Sequence, residues 1–368
     1  MTMADADTGV LASQNLREMI ARGQITADMP ISDAQIQPAS LDLRLGTVAY
    51  RVRASFLTGA GRTVAERISE FEMHRMDLTA GAVLEKGCVY LVPLMERLAL
   101  PSDLTAVANA KSSTGRLDLL TRTITDGGVE FDRLPAGYHG PLYAEICPRS
   151  FSVLVRPGMR LNQIRFRRGM AQLDDAALAA LHAQEPLVNG AAFISEGLGF
   201  SVDLHPQRGD LLGYRAKPHA GVIDLDRIGH YAIADFWEEI RSREARIILD
   251  PGAFYILVSR EAVSIPPTHA AEMAPYLAMV GEFRVHYAGF FDPGFGHGAA
   301  GGIGARGVLE VRCHEAPFVL EHAQMVGRLV YERMAQVPDR LYGVGMASNY
   351  QGQGLKLAKH FKPQTEES

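Results

Sequence analysis

Ser40-Leu41-Asp42-Leu43 recurs as Ser201-Val202-Asp203-Leu204, and this repetition decides how the chain divides. Further correspondences run outward from it. Gly87-Cys88-Val89-Tyr90 returns as Gly252-Ala253-Phe254-Tyr255, Pro101 as Pro266, and Glu145 as Glu310. The last three share one offset, 310 less 145, or 165 residues. A constant offset over that span implies tandem duplication of one domain. We expect a first copy over residues 1–170, a helical linker over 171–195 and a second copy over 196–368. Within the linker, Asp174 or Asp175 caps a short helix through Ala176–His182, and Pro186 stops it. This helix could equally be the outer helix of the first copy. A second helix is expected near Ser13–Arg22, ended by Gly23.

Composition narrows the function classes. The chain has 368 residues, 47% hydrophobic and 21% charged, with a net charge of −5. These are values of a globular protein with substantial cores. No Lys/Arg-rich block stands out, which argues against a protein that coats nucleic acid, although a local basic pocket for phosphate remains open. Met1–Val10 lacks an apolar signal-peptide core, and no run has transmembrane length. A cytoplasmic protein without membrane partners is expected. Cys88, Cys147 and Cys313 are odd in number and far apart, and read as buried free thiols. A zinc deaminase needs H-x-E with P-C-x-x-C, and neither occurs.

The remaining pattern is short strands with Gly/Pro punctuation. Val89–Val92, Leu142–Ile146, Ser152–Val155 and Ile164–Phe166 fit the first copy. Phe254–Val258, Phe283–Tyr287, Gly307–Val311 and Arg328–Tyr331 fit the second. The fold class is mainly β, a sandwich or barrel in each copy. No G-x-G-x-x-G or P-loop joins a strand to a helix.

Four segments could carry chemistry. Lys111-Ser112-Ser113-Thr114-Gly115-Arg116 combines two cations, hydroxyls and a glycine, a composition suited to phosphate oxygens; a solvated turn is the competing reading. Phe291-Asp292-Pro293-Gly294-Phe295-Gly296 is a turn whose Asp292 could position a ribose hydroxyl or a water. Glu145 and Glu310 lie on strands, where alternation separates them from the apolar positions Leu142, Ala144 and Ile146. Such a glutamate usually faces solvent; buried beside a pocket, it would have a raised pKa and could carry protons. The segment Asn349–Gly354, followed by Lys356 and Lys359, could fold over a ligand.

Together these pieces resemble the dCTP deaminase family of the dUTPase-like superfamily. Ile36-Gln37-Pro38-Ala39-Ser40-Leu41-Asp42-Leu43-Arg44-Leu45-Gly46 is similar to its opening strand motif. Lys111–Arg116 with Leu117 resembles its S-S-x-x-R-L phosphate element. Val285–Phe295 resembles its base-binding hairpin, Val308-Leu309-Glu310 its catalytic strand, and Tyr350–Gly354 its closing tail. The resemblance implies two dUTPase-like distorted β-barrel or jelly-roll domains in an oligomer whose sites lie between domains. It also implies zinc-independent deamination of dCTP to dUTP and ammonia, with Mg²⁺ carried by the triphosphate. Ser112 and Arg116 would act beside a catalytic glutamate. Lys111, Ser113, Thr114, Gly115, Ala288, Asp292, Val308, Leu309, Tyr342 and Gln353 would contact the nucleotide.

Neither copy is complete. The first keeps Ser112, Ser113, Arg116 and Glu145 but replaces the Asp-Pro-Gly turn with Pro135-Ala136-Gly137-Tyr138. The second keeps Ala288, Asp292 and Glu310, but its counterpart of the phosphate element, Tyr276–Gly281, has no serine or arginine. One composite pocket follows, with Glu310 favoured over Glu145 as proton carrier. The competing functions are a dUTP pyrophosphatase, alone or with deaminase activity, and a non-catalytic nucleotide sensor.

Overall fold

The repeat is written in hydrogen bonds as well as in residues. Gly87 and Gly252 both adopt left-handed backbone, with φ of 80° and 70°. A side chain is disfavoured in that region, so glycine recurs at the turn. Their N–H groups donate to Pro148 O at 2.8 Å and Cys313 O at 3.0 Å. The Tyr90 and Tyr255 hydroxyls accept from the N–H of Glu85 at 3.0 Å and of Asp250 at 2.8 Å. Every one of these pairs keeps the spacing found between Glu145 and Glu310.

The computed structural model describes residues 8–205, 211–275, 283–286, 289–343 and 354–363. It is mainly β. In the first copy, Arg160–Arg168 lies between Gly9–Val10 and Leu104–Ala110, with Leu41–Arg44 also paired to it. A second sheet places His139–Pro148 between Val89–Ala99 and Leu119–Thr125. The second copy repeats this, with Ala305–Cys313 between Phe254–Val263 and Phe283–His286. Its other sheet runs Leu198–Ser201, Met325–Arg333, His269–Pro275, Phe290–Phe291. Each expected strand lies within one of these or within Val153–Val155, extended by a few residues, apart from Ser152, which precedes its strand, and Tyr287, which lies outside the described residues.

The copies interlock. Ile223–Asp224 of the second copy pairs in parallel with Val153–Val155 of the first. Trp237, Phe254 and Phe361 are buried in the same core cluster as first-copy residues such as Leu41, Tyr90 and Phe151. The rings of Phe151 and Trp237 meet edge to face at 5.3 Å. A second cluster holds most of the second copy's apolar residues.

Helix Ser13–Ala21 stops just before Gly23, at Arg22. Helix Asp175–Gln184 starts where expected, with Asp174 Oδ1 accepting from Ala177 N at 2.8 Å. Its Leu178 is buried in the second core, so it packs with the second copy rather than outside the first. The cysteines are free, but only Cys313 is buried; Cys88 and Cys147 are half-buried. Cys88 precedes one strand and Cys147 nearly ends another, where neighbouring strands give less cover. Among the described residues, no helix is long and apolar enough to cross a membrane.

Candidate active site

Strand Leu104–Ala110 delivers the chain into the phosphate-type segment, and Ser112–Gly115 forms a single helical turn. This turn is tied to strand Arg160–Arg168: Lys111 N and Thr114 Oγ1 donate to Leu161 O at 2.8 and 3.0 Å. Ser112 and Ser113 are half-buried. Lys111 pairs with the buried carboxylate of Asp42, from the opening motif, and Arg160 approaches the same oxygen at 3.5 Å. Arg116 is buried and donates from Nη1 to Lys356 O at 3.0 Å.

Glu310 reaches this turn from the other copy. Strand Ala305–Cys313 points Leu309, Val311 and Cys313 into the second core, while Val308 packs against the first. Strand alternation therefore turns Glu310 and Arg312 toward the first copy. A Cβ placed on Gly115 would lie 2.6 Å from Glu310 Oε2, closer than packed atoms tolerate. Glycine is what lets the carboxylate lie against the turn. Burial pushes the Glu310 carboxyl well above the ordinary glutamate range; Arg116 pulls it back and Asp118 pushes it further up. A carboxyl raised above its ordinary range is shifted in the direction that suits proton exchange.

Asp292 completes the second copy's contribution. Its turn closes through Gly294, at φ 96°. Buried Arg165 of the first copy donates from Nη2 to Asp292 Oδ1 at 3.1 Å. Arg165 also reaches Glu332 at 3.2 Å and Ala271 O at 3.1 Å, and lies 4.1 Å from the Phe290 ring centre. Burial raises Asp292 above the ordinary aspartate range; Arg165 and Lys111 oppose this and Asp42 adds to it. Tyr342 N donates to Pro293 O at 2.8 Å, and its ring stands 5.5 Å from that of Phe295. Leu309 is wholly buried, with its side chain in the second core. Ala288 and Gln353 lie outside the described residues, as do the Tyr276–Gly281 segment and Tyr350–Gly352 of the tail.

Glu145 has a different setting. It is buried rather than solvent-facing, and its Oε1 accepts from Arg122 Nε at 3.1 Å within its own copy. Asp118, Ser150, Arg165 and Arg312 were not legible as site residues. The only available signal was spacing: Asp118 and Arg312 each follow a predicted site residue by two positions.

The fold and this arrangement define a duplicated β-domain hydrolase, in which a cation- and hydroxyl-bearing turn of one copy lies against a buried carboxyl of the other. Two family models cover the chain: the 2'-deoxycytidine 5'-triphosphate deaminase N-terminal domain matches residues 7–170 and the C-terminal domain matches 174–361. The chain belongs to the dCTP deaminase family. A crystal structure of 2'-deoxycytidine 5'-triphosphate deaminase from Agrobacterium tumefaciens is 54% identical, covering 90% of this chain and 100% of that one, with a TM-score of 0.86. The dCTP deaminase of Halorubrum lacusprofundi is 29% identical over 161 residues, 43% of this chain and 76% of that one. A dUMP-forming dCTP deaminase of Coprothermobacter proteolyticus is 30% identical over 158 residues, 43% of this chain and 81% of that one.

Proposed function

We propose that the composite cleft deaminates dCTP to dUTP and ammonia, with Glu310 as the proton carrier. Water adds to C4 of the cytosine ring while Glu310 moves one of its protons to N3; the second proton of that water then passes through Glu310 to the amino group, the C4–N4 bond breaks, and ammonia leaves a C4 carbonyl behind. The observation that carries this reading is the Glu310 carboxylate lying against Gly115 of the other copy. Lys111, Ser112 and Ser113 take the phosphates, Thr114, whose hydroxyl donates to Leu161 O, holds the turn rather than the ligand, and Ser112 with Arg116 helps hold the water. Asp292 and Tyr342 border the sugar and base, with Ala288 and Gln353 assigned to the nucleotide by resemblance alone. Mg²⁺ is carried on the triphosphate. In support, Asp42 and Asp292 are each paired with a cation; a metal bound on the phosphates would neutralise their charge. A cytoplasmic location and a homo-oligomer belong to the same proposal.

The test is ammonia release from dCTP by the wild type and by Glu310→Gln. An active Glu310→Gln enzyme removes the reading. A second reading is favoured by the name of the Coprothermobacter relative, dUMP-forming. Product analysis separates the two: dUTP alone means deamination, whereas dUMP with pyrophosphate means a second hydrolysis at the same site.

A further inference from the structure

Glu310 and Arg312 stand two residues apart on the strand face turned to the first copy, and Arg116 and Asp118 stand two residues apart opposite them. The charges are crossed. Arg116 acts on Glu310, and Arg312 donates from Nη2 to Asp118 Oδ2. Ser150 Oγ donates to the same oxygen at 2.6 Å and lies 3.3 Å from Arg312 Nη2. Arg312 Nη1 donates to Gly252 O, so the guanidinium spans both copies. Asp118 is 1% exposed and keeps a left-handed φ of 54°, a conformation uncommon outside glycine. Asp118 N donates to Gly115 O at 2.8 Å, and Asp118 O accepts from Arg149 N at 2.9 Å. This loop is fixed at both ends, in a conformation that aims one carboxylate at one arginine.

We propose that Asp118, through Arg312, is a positioning residue for the deamination: it registers the Glu310 strand against the phosphate-type turn and sets the charge that the Glu310 carboxyl meets. A polar pair buried between domains contributes little net stability against apolar packing, but losing one partner is costly. Its position beside the proton carrier gives it a role that stability alone does not. The charged and polar groups around Glu310 and Asp118 come from four segments. Arg116 and Asp118 lie on the turn, Arg312 on the strand itself, and Arg149 and Ser150 follow strand His139–Pro148. The C-terminal segment adds the Lys356 carbonyl behind Arg116. In this set Asp118 is the group that pushes Glu310 up.

This inference rests on Glu310 as proton carrier, and the experiment separates the two. The pH dependence of kcat/KM for dCTP is measured for the wild type, Asp118→Asn and Asp118→Gly. Asparagine keeps hydrogen-bonding capacity without the charge; glycine removes the side chain at a backbone angle that suits it. Glu310 must be ionised to accept the proton, so the rate falls on the acid side as it protonates. Loss of the neighbouring negative charge lowers its pKa, and the acid limb should move down by about one pH unit in both variants. kcat should fall while KM stays near the wild-type value. An unmoved limb with only a lower Tm makes Asp118 a structural contact and overturns the proposal. A change in KM alone overturns it as well. Glu310→Gln is assayed alongside: retained activity overturns the proton carrier and this inference together, whereas lost activity with unmoved limbs overturns this inference alone.

Discussion

Glu145 and Glu310 occupy the same place in the two copies, yet their surroundings give them opposite characters. Each sits on a central strand; Glu145 is opposite Leu91 and Glu310 opposite Ile256, partners again related by the repeat spacing. On the other side the register partner is Arg122 for Glu145 and His286 for Glu310. Arg122 donates to Glu145 Oε1, so that carboxylate is paired within its own sheet. Glu310 makes no salt bridge among the described residues and lies against a glycine of the other copy. Of two duplicated glutamates, one is thus taken up by a cross-strand cation, while packing brings its twin to a partner surface without a salt bridge; on the proposed function the second is the reactive one.

The largest expected effect comes from breaking the reactive side. Glu310→Gln should lower kcat for ammonia release by about 10²–10⁴-fold, whereas Glu145→Gln should leave kcat near the wild-type value, since its carboxylate pairs with Arg122 within its own copy. Equal losses in the two variants would erase the contrast. Gly115→Ala comes next. The added methyl collides with the Glu310 carboxylate, and displacement by about 1 Å can cost about 10²-fold. Circular dichroism should show the fold retained.

Arg122→Gln sharpens the structural side. It leaves Glu145 buried with a weaker partner and should cost about 2 kcal/mol, read by chemical denaturation, without creating a second catalytic centre. The smallest effect is on stability against pH. Because the folded pKa of Glu310 is raised, its contribution favours the folded state while the group is protonated and is lost as pH rises from the ordinary glutamate range toward the folded value. Glu310→Gln should therefore gain Tm relative to the wild type as pH rises through that window. A gap that shrinks with rising pH would contradict the burial of the ionised form.

Much of the fold was legible from short-range signals. The Gly87 and Gly252 turns, the Asp174 cap and the period-2 strands depend on a few consecutive residues, so local chemistry reports them. The site was legible as two incomplete sets of residues. Which set partners which was a matter of inference, and Arg165, Asp118 and Arg312 did not register at all. Arg165 reads as one charge in a strand that also carries Arg160, Arg167 and Arg168, yet it is fully buried against Asp292 and Glu332. Nothing within its own strand announces partners more than a hundred residues away.

The sequence by itself determined the duplication, the β class, the phosphate-type turn and the presence of two equivalent strand glutamates. The tertiary structure decided which glutamate meets that turn and what charge surrounds it. The reason is physical: backbone preference and alternation act over a few residues, whereas burial and ion pairing depend on the surfaces that two folded copies bring together.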